Sequence, residues 1–114
     1  MFKTVDEAIH FIESQRAKRS FEDFQKIIER YQIPIDLKNV IHVAGTNGKG
    51  STVTFIKDLL MKQGYHVGTF TSPYIIKHHE RISVDGKPIS DDDLLRFINR
   101  LLPLIQQEHL SMFE

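Results

Sequence analysis

The glycine-rich stretch at residues 45–52 constrains the fold of this chain more than any other feature. The run before it, residues 39–44, contains no Asp, Glu, Lys or Arg and carries the β-branched residues Ile41 and Val43, as is typical of a covered strand. After Ser51 the apolar residues recur at helical spacing, at Val53, Ile56, Leu59 and Leu60. A strand, a glycine turn and a helix start in this order predict a cradle for phosphate, because backbone N–H groups and the helix dipole attract anions.

The residues of this stretch have distinct expected roles. Glycines permit backbone conformations and close approaches that a Cβ would block. Lys49 would reach the outer phosphates, and Ser51 or Thr52 would offer a hydroxyl to Mg²⁺. We therefore expect nucleotide contacts along the whole stretch, at Gly45, Thr46, Asn47, Gly48, Lys49, Gly50, Ser51 and Thr52.

The stretch departs from the common P-loop pattern G-x-x-x-x-G-K-[ST] at two positions. Val43 stands where the pattern has Gly, and Gly50 stands where it has Ser or Thr. The alternatives are a variant phosphate cradle and a tight strand-to-helix turn with a solvated lysine. The order of strand, glycines, lysine, hydroxyls and amphipathic helix favours the cradle.

Three strings carry a resemblance to a known family. They read GTNGKGS at residues 45–51, YHVGTFTSP at 65–73 and ERI at 80–82. Together they resemble the N-terminal part of folylpolyglutamate synthase/dihydrofolate synthase, a branch of the Mur ligase superfamily, over nearly the whole chain. Gly50 points to the folate branch, because Mur ligases proper usually have Ser or Thr directly after the lysine.

The resemblance implies an α/β fold of the P-loop, Mur ligase central-domain type, with a parallel sheet flanked by helices. Residues 1–114 would form a partial ATP-binding domain, the truncated N-terminal portion of a longer enzyme. The acidic residue that completes the Mg²⁺ site and the domain that binds glutamate would then lie beyond Glu114. A fragment of this kind is expected to be inactive alone.

The activity that the resemblance implies is ATP-dependent ligation of L-glutamate to folate through an acyl phosphate. The acceptor would be tetrahydrofolate, dihydropteroate or both, and the cofactors would be ATP and Mg²⁺. Lys49 would be catalytic, and Ser51 and Ser72 would bind the metal. The expected folate contacts are Tyr74, Arg81, Phe113 and Glu114. Two alternatives remain: a P-loop nucleotide-binding module without ligase activity, and an inactive fragment.

The part of the chain up to Gly64 predicts three helices. Thr4 and Glu7 form a capping box that starts a helix running to about Gln15. A second helix with an apolar face at residues 21–31 should stop before Pro34. The cradle helix should run from about residue 50 to 62, with Gly64 as its terminator.

A second strand at residues 66–71 is predicted to pair in parallel with the first through this helix. Because parallel strands end at one edge of a sheet, Ser72 would then lie near the phosphates. Asp85-Gly86 predicts a hairpin within residues 82–89. A last helix should begin after Ser90, and Pro103 should kink or break it.

Two short polar segments leave alternatives open. Arg16–Arg19 is either a solvated link, which we favour, or a contact for an anionic ligand. His78 and His79 suggest a metal site, but adjacent residues of an extended chain point in opposite directions, which favours an ordinary loop.

Composition excludes several classes of function. The formal net charge is zero, so the chain lacks the basic surface expected of a protein that binds nucleic acid or an anionic membrane. It contains no cysteine, which excludes disulfides and thiolate metal sites. No apolar run approaches the ~20 residues of a membrane span, and the N-terminus is not that of a signal peptide. We expect a cytoplasmic enzyme with small-molecule partners only, monomeric when intact.

Overall fold

The computed structural model describes residues 1–36 and 38–114. Its helices are α1 (Val5–Ser14), α2 (Phe21–Arg30), α3 (Lys49–Lys62), a 3₁₀ helix (His78–Arg81) and α4 (Asp91–Glu108), and its strands are β1 (Gly68–Phe70), β2 (Ile82–Val84) and β3 (Lys87–Pro88). The chain divides into two compact units: a first unit of Met1–Val40 with Leu95–Glu114, and a second unit of Ile41–Leu94. The α/β class is confirmed.

Side-chain caps set the starts of the first two helices, and the cap at Thr4 confirms the prediction. The Thr4 hydroxyl accepts a hydrogen bond from the backbone N–H of Glu7 at 3.3 Å. The Ser20 hydroxyl accepts one from the N–H of Asp23 at 3.1 Å. Each cap satisfies an N–H group that the helix itself leaves without a partner. The second helix ends at Arg30, ahead of Pro34, as predicted.

The core of the first unit is formed by α1, α2 and α4. Its centre consists of the buried residues Ile27, Ile105 and Leu110, against which Phe11, Tyr31 and Leu104 pack. Fully burying an aliphatic side chain of this size contributes about 1.5–3 kcal/mol. Phe2 joins the N-terminus to this unit, because its backbone N–H donates to Asn99 Oδ1 at 2.8 Å and its carbonyl accepts from Asn99 Nδ2 at 3.0 Å.

The prediction that Pro103 breaks the last helix is wrong, since α4 runs through it to Glu108. Proline removes one backbone donor. Ile98 and Ile105 on either side of it are 3% and 9% exposed, so packing of both halves favours one continuous helix over a break. The helix ends at Glu108: His109 follows it with φ of 52°, and Leu110 N donates to Ile105 O at 3.1 Å in a Schellman-type cap.

Charged side chains connect the C-terminal residues of the first unit to its helices. Arg19 Nη1 donates to Glu114 Oε1 at 2.7 Å, and both side chains are about 85% buried, at 16% and 15% exposure. Arg19 also donates to the carbonyl of Glu108. Arg19 is therefore bound within the protein, so the favoured interpretation of residues 16–19 as a solvated link is wrong for this residue.

A second ionic contact in this unit involves Glu108. Its carboxylate accepts from the Tyr31 hydroxyl and from Arg30 Nη1, both at 2.8 Å. The hydrogen bond from Tyr31 lowers the pKa of Glu108, and the same bond raises the pKa of Tyr31.

The sheet of the second unit is antiparallel, in the order β1-β2-β3. Thr69 lies opposite Ser83, and Ser83 lies opposite Pro88. Asp85 and Gly86 join β2 and β3 with φ values of 51° and 78°. These are the left-handed conformations of a type I′ turn, which Asp-Gly favours, so the predicted hairpin is confirmed.

The predicted parallel sheet is wrong. β1 lies within the predicted second strand, but it pairs antiparallel with β2, and residues 40–44 form no strand. Val40 and Ile41 are 58% and 61% exposed rather than covered. The physical reason is that β2, which the chain reaches through a short return loop, supplies the backbone partners of β1.

The cradle helix α3 begins at Lys49 and ends at Lys62. Gly64 terminates it as predicted, with φ of 91° and its N–H bonded to Met61 O at 3.0 Å. The apolar stripe is only partly covered, because no residue of α3 is buried and Leu59 is 62% exposed. No helix among the described residues is long and apolar enough to span a membrane.

The contact between the hairpin turn and His66 predicts a defined pH dependence. Asp85 Oδ2 lies 2.8 Å from His66 Nδ1, and Asp85 Oδ1 accepts from Val67 N at 2.8 Å. The hydrogen bond from His66 lowers the pKa of Asp85, helped by Val67 N–H, and Asp85 raises the pKa of His66. Ionised Asp85 therefore stabilises the folded state above the pKa that it has in the unfolded chain, and this stabilisation is lost in acid. Protonated His66 stabilises the folded state below the pKa that it has in the unfolded chain, and this stabilisation is lost as the pH rises.

We expect the stabilisation from this pair to be greatest between about pH 4 and about pH 6.5. The measurement is the urea midpoint across this range and on both sides of it, for the wild type and for Asp85→Asn. Asparagine also suits a left-handed turn position, which makes it the matched substitution. Two midpoint curves that stay parallel at all pH values would contradict the prediction.

Candidate phosphate-binding loop and the Ser72–Tyr74–Arg81 cluster

The backbone at Gly48 shapes the loop at residues 45–50. Gly48 is the N-cap of α3 and has φ of 76°, a left-handed conformation that other residues rarely adopt. A Cβ at this position would meet nothing within 4 Å. Backbone conformation, and not lack of space, is therefore the reason for glycine here.

The N-terminus of α3 is suited to an anion. Its first turn contains no acidic residue that would compete for the unpaired N–H groups of the helix end. Gly48 and Ser51 lie on the exposed surface. An incoming phosphate would meet the positive end of the helix dipole and backbone donors together.

Lys49 folds back across the loop. Its Nζ donates to the carbonyl of Gly45 at 2.6 Å, in an exposed setting. A phosphate oxygen would be a stronger partner for the ammonium group than this neutral carbonyl, because it also carries the opposite charge and adds Coulombic attraction. Lys49 is thus held above the loop in position to exchange one partner for the other.

The hydroxyls near the loop are used differently. Thr52 Oγ1 donates to Gly48 O at 2.8 Å, so its proton is committed to the helix backbone. Ser51 is exposed beside it. Within residues 1–36 and 38–114, no three His, Cys, Asp or Glu side chains group together in a way that could hold a metal ion. Since Mg²⁺ usually binds one or two carboxylates, these hydroxyls could supply only part of a metal site.

Three residues predicted at separate positions form one cluster in the second unit. Arg81 Nη1 donates to Ser72 Oγ at 3.2 Å, and Arg81 Cζ lies 5.1 Å from the centroid of the Tyr74 ring. Arg81 is only 8% exposed, and its Nε has no hydrogen-bond partner in the described part of the chain. A guanidinium beside an aromatic ring, with one N–H group left unbonded, has the chemistry to pair with a carboxylate.

The position of Ser72 differs from its prediction. Two parallel strands that end at one edge of a sheet would place Ser72 near the phosphates. Since β1 pairs antiparallel with β2 and residues 40–44 form no strand, the structure does not provide that edge. The Ser72 hydroxyl contacts Arg81 instead. Its role as a metal ligand stays a prediction that the strand geometry does not support.

Phe113 and Glu114 lie in the first unit, so the predicted folate contacts are divided between the two units. Phe113 is 77% exposed. Glu114 accepts from Arg19 and, at 2.8 Å, from the N–H of Ser111. Burial raises the pKa of Glu114, but the hydrogen bonds from Ser111 and Arg19 outweigh it and the pKa is lowered.

The two neighbouring histidines have different surroundings. His79 is 8% exposed, and its Nε2 lies 2.7 Å from Asp91 Oδ1, although at an angle outside that of a hydrogen bond. The His78 ring lies 5.7 Å from the Tyr74 ring. The two imidazoles therefore do not share a ligand position.

Sequence reasoning assigned no role to Glu80. Its carboxylate accepts from the N–H groups of three consecutive residues: Ile75 at 2.9 Å, Ile76 at 3.0 Å and Lys77 at 3.1 Å. These bonds, that from Ile75 first, lower the pKa of Glu80. The sequence gives little sign of this contact, because every residue except proline has a backbone N–H group and residue type therefore does not mark the donors.

Comparison with known proteins gives consistent relatives. No family model matches the chain. It is 50% identical over 82 residues to the dihydrofolate synthase/folylpolyglutamate synthase of Bacillus subtilis (strain 168), covering 72% of this chain and 19% of that protein. It also matches the structure of folylpolyglutamate synthetase from Lactobacillus casei, with a TM-score of 0.80, 31% identity, and coverage of 96% of this chain and 30% of that one. The chain belongs to the folylpolyglutamate synthase/dihydrofolate synthase family.

A further structural relative is described as a complex of folylpolyglutamate synthase with AMPPCP and folate. The match has a TM-score of 0.79 and 31% identity, and it covers 96% of this chain and 29% of that one. The chain therefore spans about a fifth of the curated relative and about 30% of the solved structures.

The loop glycines predict opposite effects of one substitution. Gly48→Ala should destabilise the protein by roughly 1–2 kcal/mol, because the left-handed conformation is strained for alanine. Gly50→Ala is the matched control: Gly50 lies in the helix and a Cβ there meets nothing within 4 Å. It should stabilise the protein by up to about 1 kcal/mol. Urea unfolding measures both, and an unchanged midpoint for Gly48→Ala would contradict the account of this turn.

Proposed function

We propose that this chain supplies the ATP-phosphate site and part of the folate site of an ATP-dependent ligase that adds L-glutamate to folate or dihydropteroate. The observation that carries the proposal is the loop at α3, where left-handed Gly48 and Lys49 occupy a helix N-terminus. Family membership supports it, as does the similarity to a complex that contains an ATP analogue and folate. Residues 1–114 would then be a partial P-loop ATP-binding domain.

The reaction proceeds in two steps. The carboxylate of the folate substrate attacks the γ-phosphorus of ATP, which forms an acyl phosphate and releases ADP. The neutral amine of L-glutamate then attacks the acyl carbon, inorganic phosphate leaves, and the amine proton goes to that phosphate or to water as the amide forms. The protein would act mainly by positioning and by stabilising charge on the transferring group.

Residues 45–52 would bind the phosphates, at Gly45, Thr46, Asn47, Gly48, Lys49, Gly50, Ser51 and Thr52. Lys49 would leave the Gly45 carbonyl and follow the negative charge on the γ-phosphoryl group, with backbone N–H groups of the helix end beside it. Bound Mg²⁺ would neutralise phosphate charge, and Ser51 and Ser72 are its proposed ligands in this chain.

Arg81 and Tyr74 would meet the folate substrate. The guanidinium would pair with a carboxylate of folate, and the Tyr74 ring keeps that guanidinium in a fixed plane. Phe113 and Glu114 are the further proposed contacts, with the Phe113 ring exposed and the Glu114 carboxylate held by Arg19.

The proposed enzyme uses small molecules only, lies in the cytoplasm and is a monomer. One relative is a mitochondrial enzyme by name, so family membership alone does not determine the compartment. A nucleotide-binding module without ligase activity is the second candidate, since the loop geometry serves both. Formation of a γ-glutamyl amide coupled to ADP release separates the two.

Lys49→Ala should weaken nucleotide binding. Loss of one charge-assisted hydrogen bond costs about 1.5–3 kcal/mol, which is roughly tenfold or more in affinity for ATP. Ligase turnover of the complete enzyme to which this chain would belong should fall by on the order of 10²-fold, because the stabilisation of the transferring phosphoryl group is lost. Calorimetry with AMPPCP and assays of ADP release measure the two effects. Lys62→Ala, at the other end of α3, is the control, and equal affinities in the two variants would remove Lys49 from the phosphate site.

Arg81→Ala should weaken folate binding by roughly tenfold or more, since a charged hydrogen-bond donor to a carboxylate is removed. Binding of a pterin without a carboxylate should change little, apart from lost stacking. The control is Arg100→Ala, because Arg100 is exposed on α4. Unchanged folate affinity in Arg81→Ala would show that the buried guanidinium serves the fold alone.

A further inference from the structure

The turn at residues 75–77 combines two properties that rarely occur together. The side chains of Ile75 and Ile76 are 90% and 80% exposed. Their backbone N–H groups are nevertheless bound, together with that of Lys77, by the single carboxylate of Glu80. An exposed apolar pair gains nothing from water, so the order of this turn comes from Glu80 and not from side-chain packing.

The three bonds divide between the two oxygens of the carboxylate. Oε2 accepts from Ile75, and Oε1 accepts from Ile76 and Lys77. Bonds from N–H donors favour the ionised carboxylate, in agreement with the lowered pKa of Glu80. Glu80 therefore acts as an anion whose two carboxylate oxygens bind the backbone N–H groups of residues 75–77.

The turn lies between the parts of the Ser72–Tyr74–Arg81 cluster. Tyr74 precedes Ile75 directly, and Arg81 follows Glu80 directly. At the base of this loop, Thr71 N donates to Arg81 O at 3.0 Å. A change in the 75–77 backbone would consequently move the Tyr74 ring from its place 5.1 Å from Arg81 Cζ.

We propose that Glu80 is a positioning residue that holds the Ile75–Lys77 turn so that Tyr74 stays stacked on Arg81 and the two isoleucines face the aromatic body of a bound folate. The identity of the ligand rests on the proposed function; the action of Glu80 on the turn does not. The expected consequence of losing the carboxylate is a weaker affinity for folate, with the affinity for ATP retained, because the phosphate loop has its own contacts.

The test compares Glu80→Gln and Glu80→Ala with the control Glu29→Gln, where Glu29 is exposed on α2. Glutamine keeps one acceptor oxygen for Ile76 and Lys77 and loses the acceptor for Ile75. Hydrogen exchange of the three amides, resolved by NMR, should therefore accelerate at Ile75 in Glu80→Gln and at all three in Glu80→Ala. We expect about tenfold per lost bond.

Folate affinity, measured by calorimetry on the same 114-residue proteins, should fall from wild type to Glu80→Gln to Glu80→Ala, by about tenfold in the last. Affinity for AMPPCP with Mg²⁺ should stay within about twofold of the wild type, since no phosphate contact is changed. This difference between the two ligands is the readout that a merely structural role would not produce.

Three results would overturn the proposal. They are unchanged amide exchange in Glu80→Ala, faster exchange with unchanged folate affinity, and an equal fall in the affinities for folate and AMPPCP. A wild-type protein that binds AMPPCP but no folate would instead refute the folate part of the proposed function. In that case the exchange data alone still decide whether Glu80 orders the turn.

Discussion

The antiparallel pairing of β1 with β2 is the constraint on which the second unit depends. Once the backbone of Gly68–Phe70 bonds to Ile82–Val84, the chain between them must return on itself as a loop. The bond from Thr71 N to Arg81 O closes that loop directly beyond the strands. Ser72 and Arg81 are thereby brought face to face, and the Glu80 carboxylate comes within reach of the N–H groups of residues 75–77. One strand pairing thus accounts for a cluster whose members are up to nine residues apart.

Two arrangements of residues in this unit are suited to anions, and they differ in chemistry. The loop before α3 offers a helix end, a left-handed glycine and the Lys49 ammonium. An ammonium is a compact charge on a flexible side chain, so it can follow a phosphate chain from several directions. The cluster offers a buried, planar guanidinium held against a ring, which suits a carboxylate in one orientation. A ligase that joins a carboxylate to an amine by means of ATP needs both kinds of site, so their presence in one unit agrees with the proposed function.

Local features were predictable because they depend on neighbouring residues only. The cap at Thr4 and the turn at Asp85-Gly86 follow from side-chain and backbone chemistry within a few positions. The expectation of a parallel sheet failed because strand pairing depends on which backbone is available, and residues 40–44 show the same apolar pattern whether or not a partner strand exists. The prediction for Pro103 was wrong because it used the helix propensity of one residue, whereas the helix is held together by the burial of Ile98 and Ile105 on either side.

Residue types and their spacing were enough to predict the α/β class, the family, and the loop of glycines with Lys49, because they dictate backbone freedom and charge. They also identified Ser72, Tyr74 and Arg81, but as separate positions. The folded structure was needed to show that these three residues touch, that Arg19 binds Glu114, and that Glu80 binds three backbone amides. Contacts of this kind depend on the return of the chain through β2 and on N–H groups that every residue except proline shares, so no pattern of residue letters specifies them.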